Sequence, residues 1–332
     1  MKNSEDSFCG SVCDYSTEKF GRNIADSVNS ICQIARYLVA YAKHGIVRFH
    51  RRCFDKVIMK YCCRLIGQKP RNAEAYLFRG RVHYRWEKFD DAISDFSHVI
   101  NLRPSDVTAF MLRGEAHCFQ EKFDNAIFDF TQVVSLQPDN VAAYLSRSKA
   151  LFCKGDFDKA MADTSEAIRL APENADPHIA CGIIHFHQER FGLAMTEYTT
   201  AIQLNPKSSK AYTNRGMAYY NERRFDLAIS DYTKAICLNP NRSHVYTDRG
   251  YACLLSSNFD MALADANKAL MLDPHSVAAY NLRALLYVVR SKYGKAIADC
   301  EAILRIDPND VLAKENLENL ILVGQKKDRE LS

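Results

Sequence analysis

The sequence lacks a large net charge, an apolar start and a long uninterrupted apolar stretch, and each absence excludes a class of protein. The formal net charge is only +4, so no overall field draws the chain to nucleic acid or to an acidic membrane surface. The first ten residues, MKNSEDSFCG, are polar and acidic, so we expect no secretion signal. The most apolar early stretch, residues 28–47, is interrupted by Arg36, Lys43 and His44, so we expect no membrane span there.

Motifs of common catalytic and metal sites are also missing. There is no glycine-rich phosphate loop, no nucleophile elbow and no HExxH zinc motif. His185 and His187 are two residues apart, and side chains with that spacing point to different faces of a helix. The adjacent Cys62 and Cys63 have no companion ligands at zinc spacing. We therefore expect no enzymatic activity, no cofactor, no metal site and no small-molecule substrate.

Cysteine, in contrast, is plentiful. Most of the twelve cysteines fall at helical positions that look buried, where a thiol behaves as a small hydrophobic group. Together with the polar start of the chain, this pattern favours a reducing compartment over a disulfide-bonded secreted protein. We expect a cytoplasmic protein.

Eight of the nine prolines recur at an interval of 34 residues. They are Pro70, Pro104, Pro138, Pro172, Pro206, Pro240, Pro274 and Pro308. A fixed period of this size is typical of stacked repeats. We number the positions of each repeat so that the boundary proline is position 32. Seven repeats then begin at Ala73, Val107, Val141, Ala175, Ser209, Ser243 and Val277.

Other positions of the repeat are equally regular and predict two helices per repeat. Position 20 is alanine in all seven repeats, position 17 is phenylalanine or tyrosine, and position 4 is aromatic in six, with His178 in the fourth. In six repeats an Asn, Asp or Ser precedes the first helix as an N-cap. An antiparallel hairpin places a small residue at position 8 against a large one at position 24. Gly250 opposite Ala266 breaks this rule, so we expect a loosely packed sixth repeat.

This pattern of glycine at position 8, alanine at 20 and proline at 32 resembles the tetratricopeptide repeat family over residues 70–308. The resemblance implies an all-α fold, an α-solenoid of stacked antiparallel helix hairpins that forms a right-handed superhelix. Its first helices would line a concave groove that binds peptides or partner helices.

The flanking segments complete the predicted organisation. We expect residues 1–22 to be a disordered tail and residues 23–69 to form a basic helical pair, a degenerate capping repeat. Residues 309–324 are predicted to form a C-terminal capping helix that ends at Gly324, followed by a charged tail over residues 325–332.

Charged residues also recur within the repeat. Position 7 is arginine in six repeats and position 23 is acidic in all seven. The two positions lie at one height in an antiparallel hairpin, so we predict a ladder of ion pairs within or between repeats. The fourth repeat has Cys181 opposite Glu197 and should lack its own pair. If the arginines point into the groove instead, they are ligand contacts.

Histidine occupies position 11 in three repeats, as His83, His117 and His185. Metal ligation would require adjacent first helices, about 8–10 Å apart, to converge on one ion. We interpret these residues as core histidines with satisfied hydrogen bonds.

Positions 2, 5, 9 and 12 of the first helices are predicted to line the groove, because they are spaced three and four residues apart. Their apolar and aromatic character suits an amphipathic helix or an extended hydrophobic peptide. A competing interpretation is that the chain's own N-terminal segment, or tight stacking of the helices, hides much of the groove. The predicted groove residues are Leu77, Arg81, Tyr84, Met111, Glu115, Leu145, Lys149, Phe152, Ile179, Ile183, Phe186, Met217, Tyr220 and Tyr251.

One well-known groove of the family binds the C-terminal carboxylates of chaperones through lysine, asparagine and arginine at set positions. Here only Asn214 matches that set; Ile179 and Ile183 precede it, and His244 and Asp248 follow it. A chaperone-tail receptor of that kind is therefore disfavoured.

The basic surplus of the chain is concentrated between residues 27 and 73. Ten basic residues face one acid, Asp55, and could bind an acidic partner, RNA or a lipid headgroup. Such a run is more often a solvated helix face. The ten are Arg36, Lys43, Arg48, Arg51, Arg52, Lys56, Lys60, Arg64, Lys69 and Arg71.

These patterns predict a non-enzymatic scaffold or adaptor that binds protein partners in its groove. Some tetratricopeptide proteins with motifs similar to Asn214-Arg215-Gly216 act in the assembly of ciliary machinery, so a ciliary location is one candidate. One alternative is a co-chaperone-like protein that binds clients without a carboxylate clamp. Another is an RNA-binding array that uses the basic N-terminal helices, although the small net charge disfavours nucleic acid.

Overall fold

A computed structural model describes the backbone of residues 47–331 and the side chains of residues 54–322. The regular elements of this part of the chain are sixteen α-helices, with no strand among the described residues. The predicted tail over residues 1–22 and most of the first helix of the basic pair lie outside the described residues. The helices are α1 (Val47–Gln68), α2 (Ala73–Arg85), α3 (Phe89–Leu102), α4 (Val107–Phe119), α5 (Phe123–Leu136), α6 (Val141–Lys154), α7 (Phe157–Leu170), α8 (Ala175–His187), α9 (Phe191–Leu204), α10 (Ser209–Asn221), α11 (Phe225–Leu238), α12 (Ser243–Leu255), α13 (Phe259–Leu272), α14 (Val277–Val289), α15 (Tyr293–Ile306) and α16 (Val311–Leu331).

The chain divides into two compact units, Met1–Ala150 and Leu151–Ser332, and each is built from helices that pack on their neighbours in sequence. In the first unit, helices α1 to α5 contact one another in order. In the second unit, the same order runs from α7 to α16. Within this unit the first helices α8, α10, α12 and α14 also contact each other in succession. The predicted hairpin array is confirmed.

Sequence signals at the helix starts act as predicted. The side chains of Asn72, Asp106, Ser208 and Ser276 accept a hydrogen bond from the backbone N–H three residues later, at 3.0–3.3 Å. Each bond satisfies one of the N–H groups that a helix leaves unpaired at its start. The N-caps therefore fix where the first helices begin.

A left-handed residue closes every first helix at position 15. Its φ is 56–63° at six residues that are not glycine, and 91° at Gly155. The next N–H then bonds back to the carbonyl of position 11, at 2.7–2.9 Å in all seven repeats. This closure ends the helix and turns the chain toward the antiparallel second helix. The six are Glu87, Glu121, Glu189, Arg223, Ser257 and Ser291.

Rings at position 24 lie against glycines at position 8, as the hairpin arithmetic predicted. A Cβ atom added to Gly182 would lie 2.4 Å from Cε1 of Tyr198, and one on Gly216 would lie 2.8 Å from Cε1 of Tyr232. Both tyrosine rings are fully buried. The two helices of a hairpin therefore approach closely because one of them carries no side chain at the contact.

The sixth repeat is not loose, so that expectation was wrong. The space above Gly250 is filled by Leu282 of α14, and a Cβ on Gly250 would lie 2.5 Å from Cδ2 of Leu282. Leu282 is completely buried. Within its own hairpin Gly250 faces only the small Ala266, but Leu282 of the next repeat fills the space between the helices.

The C-terminal end of the array differs from the prediction. Helix α16 does not end at Gly324 but continues to Leu331, through most of the predicted charged tail. One glycine costs a helix only about 1 kcal/mol, and no proline follows to stop it. At the other end, helix α1 has 22 residues, against 14 in the second helix of every repeat, and it ends at Gln68.

Replacing Leu282 by alanine should therefore destabilise the protein. We expect a loss of about 2–5 kcal/mol in the free energy of unfolding, because a cavity opens above Gly250. Leu285→Ala is the matched control on the same helix, since Leu285 is 46% exposed, and it should change stability by less than about 0.5–1 kcal/mol. Urea denaturation of both variants measures the difference, and equal losses would contradict the packing described.

Candidate functional site

The predicted groove residues do not all reach the surface. Leu77 and Ile179, at position 5, are buried in the core, with 7% and 2% of their surface exposed. Thr213 and Thr247, at the same position, are buried too. Position 5 therefore belongs mainly to the packing between helices, and including Leu77 and Ile179 among the groove residues was wrong. Among the other predicted residues, Lys149 and Met217 are exposed and the rest are partly buried.

Aromatic residues at position 12 are partly buried because they pack within their own hairpin. Tyr84 contacts Phe89 edge-on, and the same contact with position 17 recurs for Phe152, Phe186 and Tyr220, with ring centroids 5.4–5.8 Å apart. Such edge contacts are a favoured geometry for aromatic pairs. These rings are therefore held in fixed orientations on the side of the first helices.

The arginines at position 7 form the predicted ladder of ion pairs. In five repeats the guanidinium donates to both carboxylate oxygens of position 23 in the same hairpin, with closest distances of 2.6–2.7 Å. The aspartates are buried, and the hydrogen bond to Asp231 raises the pKa of Arg215. Two parallel bonds fix the arginine in place, so it is a structural residue and not a ligand contact. The pairs are Arg79–Asp95, Arg113–Asp129, Arg215–Asp231, Arg249–Asp265 and Arg283–Asp299.

The remaining guanidinium nitrogen ties neighbouring repeats together. Nη1 of Arg215 donates to Oγ1 of Thr199 in the preceding repeat at 3.0 Å, and Arg249 makes the same bond to Thr233 at 2.9 Å. Arg283 donates to Oδ1 of Asn267 at 3.0 Å. The repeat pattern alone did not predict these bonds, although an oxygen-bearing side chain at position 25 was their visible signal.

The fourth repeat lacks the arginine pair, as predicted, but its acid is not left alone. Nδ1 of His178 lies 2.8 Å from Oε2 of Glu197. In other repeats position 4 is an aromatic ring beside the arginine, as Tyr212 is beside Arg215, 5.8 Å from its centroid. In the fourth repeat position 7 is Cys181 instead of an arginine, and position 4 is His178 instead of tyrosine or phenylalanine. The histidine therefore takes the place of the arginine as the partner of the acid.

The three histidines at position 11 are packed in the hairpin with one unsatisfied atom each. Nδ1 of His83, His117 and His185 is buried without a hydrogen-bond partner, so the expectation of satisfied histidines was wrong for this atom. Burial lowers the pKa of all three rings, which favours their neutral form. Within residues 54–322, no three His, Cys, Asp or Glu side chains gather where they could hold a metal ion.

The basic surface is described in part. Lys56, Lys60, Arg64, Lys69 and Arg71 are all exposed, while the other five predicted basic residues lie outside the described side chains. Asp55, the single acid of the region, is buried and forms an ion pair with Arg85, the last residue of α2. It therefore does not neutralise the exposed cations. No helix of the described chain is long and apolar enough to span a bilayer.

One acid on the first helices is unlike the others. Asp248, at position 6 of α12, is partly buried and makes no hydrogen bond or ion pair. Burial raises the pKa of its carboxyl to about 6. Burial raises the pKa of Tyr220 and Tyr251, and the charge of Asp248 raises it further. Tyr251 follows Asp248 by three residues, so the two share a face of α12. The sequence pattern marks Asp248 only as a mismatch to the carboxylate clamp.

Asn214 occupies the same position as Asp248 in the preceding repeat. Its Nδ2 atom is buried and has no hydrogen-bond partner. Met217 and Tyr220 follow at intervals of three residues and share a face of α10 with Asn214. Helix α10 contacts α12, which carries Asp248 and Tyr251. We call the five residues the Asp248 site.

Comparison with known proteins identifies the repeat. Sequence models described as tetratricopeptide repeat match residues 73–106, 111–175, 209–242 and 247–311. No match was found among curated protein sequences.

Solved structures share the fold at low sequence identity. The APC/C hetero-tetramer Cut9–Hcn1 matches with 17% identity and a TM-score of 0.61, over 81% of this chain and 55% of that chain. Yeast Tom70 matches with 17% identity and a TM-score of 0.61, over 84% and 60%. A tetratricopeptide repeat protein from Parabacteroides merdae matches with 16% identity and a TM-score of 0.58, over 75% and 98%. The chain thus spans less than two thirds of the first two proteins, and these likenesses show the fold alone.

The ion-pair ladder should be essential for stability. Asp231→Ala leaves the charge of Arg215 without its carboxylate, and we expect a loss of about 2–4 kcal/mol in the free energy of unfolding. Asp260→Ala is the control, because Asp260 pairs with Arg290 while 96% exposed, and it should cost no more than about 1 kcal/mol. Urea denaturation at low salt compares the two. If the two losses are equal, the ladder is not what holds the hairpin.

Asp248 should lower stability at neutral pH. The pKa of its carboxyl is about 6 in the folded protein against an ordinary 3.8, so between these values the folded state binds more protons than the unfolded chain. Stability therefore falls as pH rises through this window and stays lower above it. Asp248→Asn should raise the free energy of unfolding by about 1–3 kcal/mol at pH 7.5, with a smaller gain at pH 4.5. A variant less stable than the parent at pH 7.5 would show that the carboxylate makes a stabilising contact.

Proposed function

The chain belongs to the tetratricopeptide repeat family, and from that premise we propose that it is a protein-binding scaffold whose first helices hold a helix or extended peptide of a partner. Its role is to bring proteins together in a multiprotein assembly, and it catalyses no reaction itself. Assembly of ciliary machinery is one candidate setting. The observation that supports the proposal most directly is that the arginines of the first helices are paired internally, while apolar side chains of the same helices remain exposed.

The charged residues of the first helices are largely used internally, and apolar ones are left over. Arginines at position 7 are bound to their carboxylates in the same hairpin. Met217, Leu285 and Val288, at positions 9 and 12, are 36–46% exposed. A row of accessible apolar and aromatic side chains at helical spacing suits the apolar face of a partner helix.

The location that we propose is the cytoplasm. All eight cysteines with described side chains are free thiols. Burial raises the pKa of Cys62 and Cys181 to about 12, so these thiols resist oxidation. This chemistry suits a reducing compartment.

Negative charge placed on the first helices should abolish the binding of partner proteins. In a Met217→Glu, Leu285→Glu double variant of the full chain, each new carboxylate would have to be desolvated at the interface. Crosslinked pull-down with quantitative mass spectrometry should show the partners of the parent protein reduced at least about tenfold.

The matched control carries the same charges on second helices. Leu193→Glu, Leu227→Glu changes two residues that are 52% and 40% exposed on α9 and α11. It should retain the partners, and circular dichroism should show the same helix content for both variants. Partners lost from the second-helix variant and kept by the first-helix variant would place the binding surface elsewhere.

A further inference from the structure

Asp248 makes no stabilising contact that would explain why the fold places a carboxylate there. Four acids at position 23 in the second unit have partners that the structure shows: Glu197 lies beside His178, and Asp231, Asp265 and Asp299 each pair with an arginine. Asp248 has neither a cation nor a hydrogen-bond donor, and no positive charge offsets the effect of its burial. A partly desolvated carboxylate without a partner costs folding free energy. The scaffold would be more stable without it.

Aromatic residues lie on the same helix as this carboxylate and on a helix that contacts it. Tyr251 follows Asp248 by three residues and shares its face of α12, and Tyr220 lies on α10, which contacts α12. Burial raises the pKa of Tyr220 and Tyr251, and the charge of Asp248 raises it further. The hydroxyl of Tyr251 donates to the carbonyl of Ala278 at 3.2 Å and so is committed elsewhere. The faces of tyrosine rings attract cations and pack well on methylene chains.

The surroundings also remain accessible. Met217 is 36% exposed, and Tyr220 and Tyr251 are partly exposed. Asp248 is itself only partly buried, so its side chain is not sealed from solvent. The site thus combines one accessible negative charge with flanking rings and an apolar side chain.

We propose that the Asp248 site binds a lysine or arginine side chain of a partner's peptide, with the Asp248 carboxylate as its ion-pair partner and the rings of Tyr220 and Tyr251 beside its methylene groups. This inference rests on the proposed function, because it names the chemistry that the first helices recognise. A cation supplied by the ligand neutralises the unpaired charge, and partial desolvation makes that pair stronger than one at the open surface. A peptide with a free carboxylate at this point is repelled.

The experiment begins with peptides of defined chemistry. A library of random 12-residue peptides is selected on the full chain at pH 7.5 in 50 mM salt, and bound peptides are tested as fluorescent probes by polarisation. We expect lysine or arginine at one fixed place in the peptides whose binding Tyr220→Ala weakens. Asp248→Asn should weaken these peptides at least about tenfold, while Glu301→Gln, an exposed acid on α15, should leave binding unchanged.

A double-mutant cycle then identifies the contact. The basic residue of the peptide is replaced by norleucine, which keeps its methylene chain and removes its charge. If Asp248 holds that charge, Asp248→Asn has little further effect on the norleucine peptide, because the interaction is already lost. Independent, additive losses overturn the assignment.

The failures of the two proposals can be told apart. Peptides that depend on Tyr220 and carry no basic residue overturn the Asp248 inference and leave the scaffold proposal intact. Selection of no peptide sensitive to Tyr220→Ala or Met217→Glu overturns the scaffold proposal as well. If peptides bind only after Arg36 and Lys43 are replaced by glutamine, the chain's own N-terminal segment occupies the site. That result overturns the proposal that a partner's peptide is the natural occupant.

Discussion

The three-way contact of the position-7 arginine is the interaction on which the rest of the structure depends. In the fifth repeat, Arg215 binds both carboxylate oxygens of Asp231 within its hairpin and Oγ1 of Thr199 in the repeat before it. One planar group therefore sets the height of the second helix against the first and the register of one hairpin on the next. Because the carboxylate is buried, neither partner can be removed without leaving an uncompensated charge.

The same contact determines what the first helices show to a partner. The guanidinium groups are turned inward and neutralised, and in the second unit every residue at positions 9 and 12 of the first helices is apolar or aromatic. Asp248 stands out against this background as a charge that the scaffold does not use. Its burial opposes folding, whereas the buried acids of the ladder support it. A residue that lowers stability without a structural partner is typical of a binding site, where function and stability conflict.

Much of the fold could be predicted from the sequence, because each repeat carries the same local signals. The proline interval, the N-caps and the pairing of Gly182 with Tyr198 are all properties of a single hairpin. Contacts between repeats were harder to predict. Leu282 fills the space above Gly250 from the neighbouring repeat, and no pattern within one hairpin reveals this. For the candidate site, spacing placed Tyr220 and Tyr251 correctly on the first helices but could not show which positions the packing would bury, or that Asp248 would lack a partner.

The absence of the arginine from the fourth repeat has a mechanical consequence. Cys181 offers no guanidinium to the preceding repeat, and Ser165, at the position that elsewhere accepts that bond, is exposed. In a linear array each repeat is held only by its immediate neighbours, so strength cannot be borrowed from farther along the chain. The junction between α7 and α8 therefore lacks the guanidinium bond that ties the later hairpins of the second unit together, and a force that stretches this unit from its ends would meet one such bond fewer there.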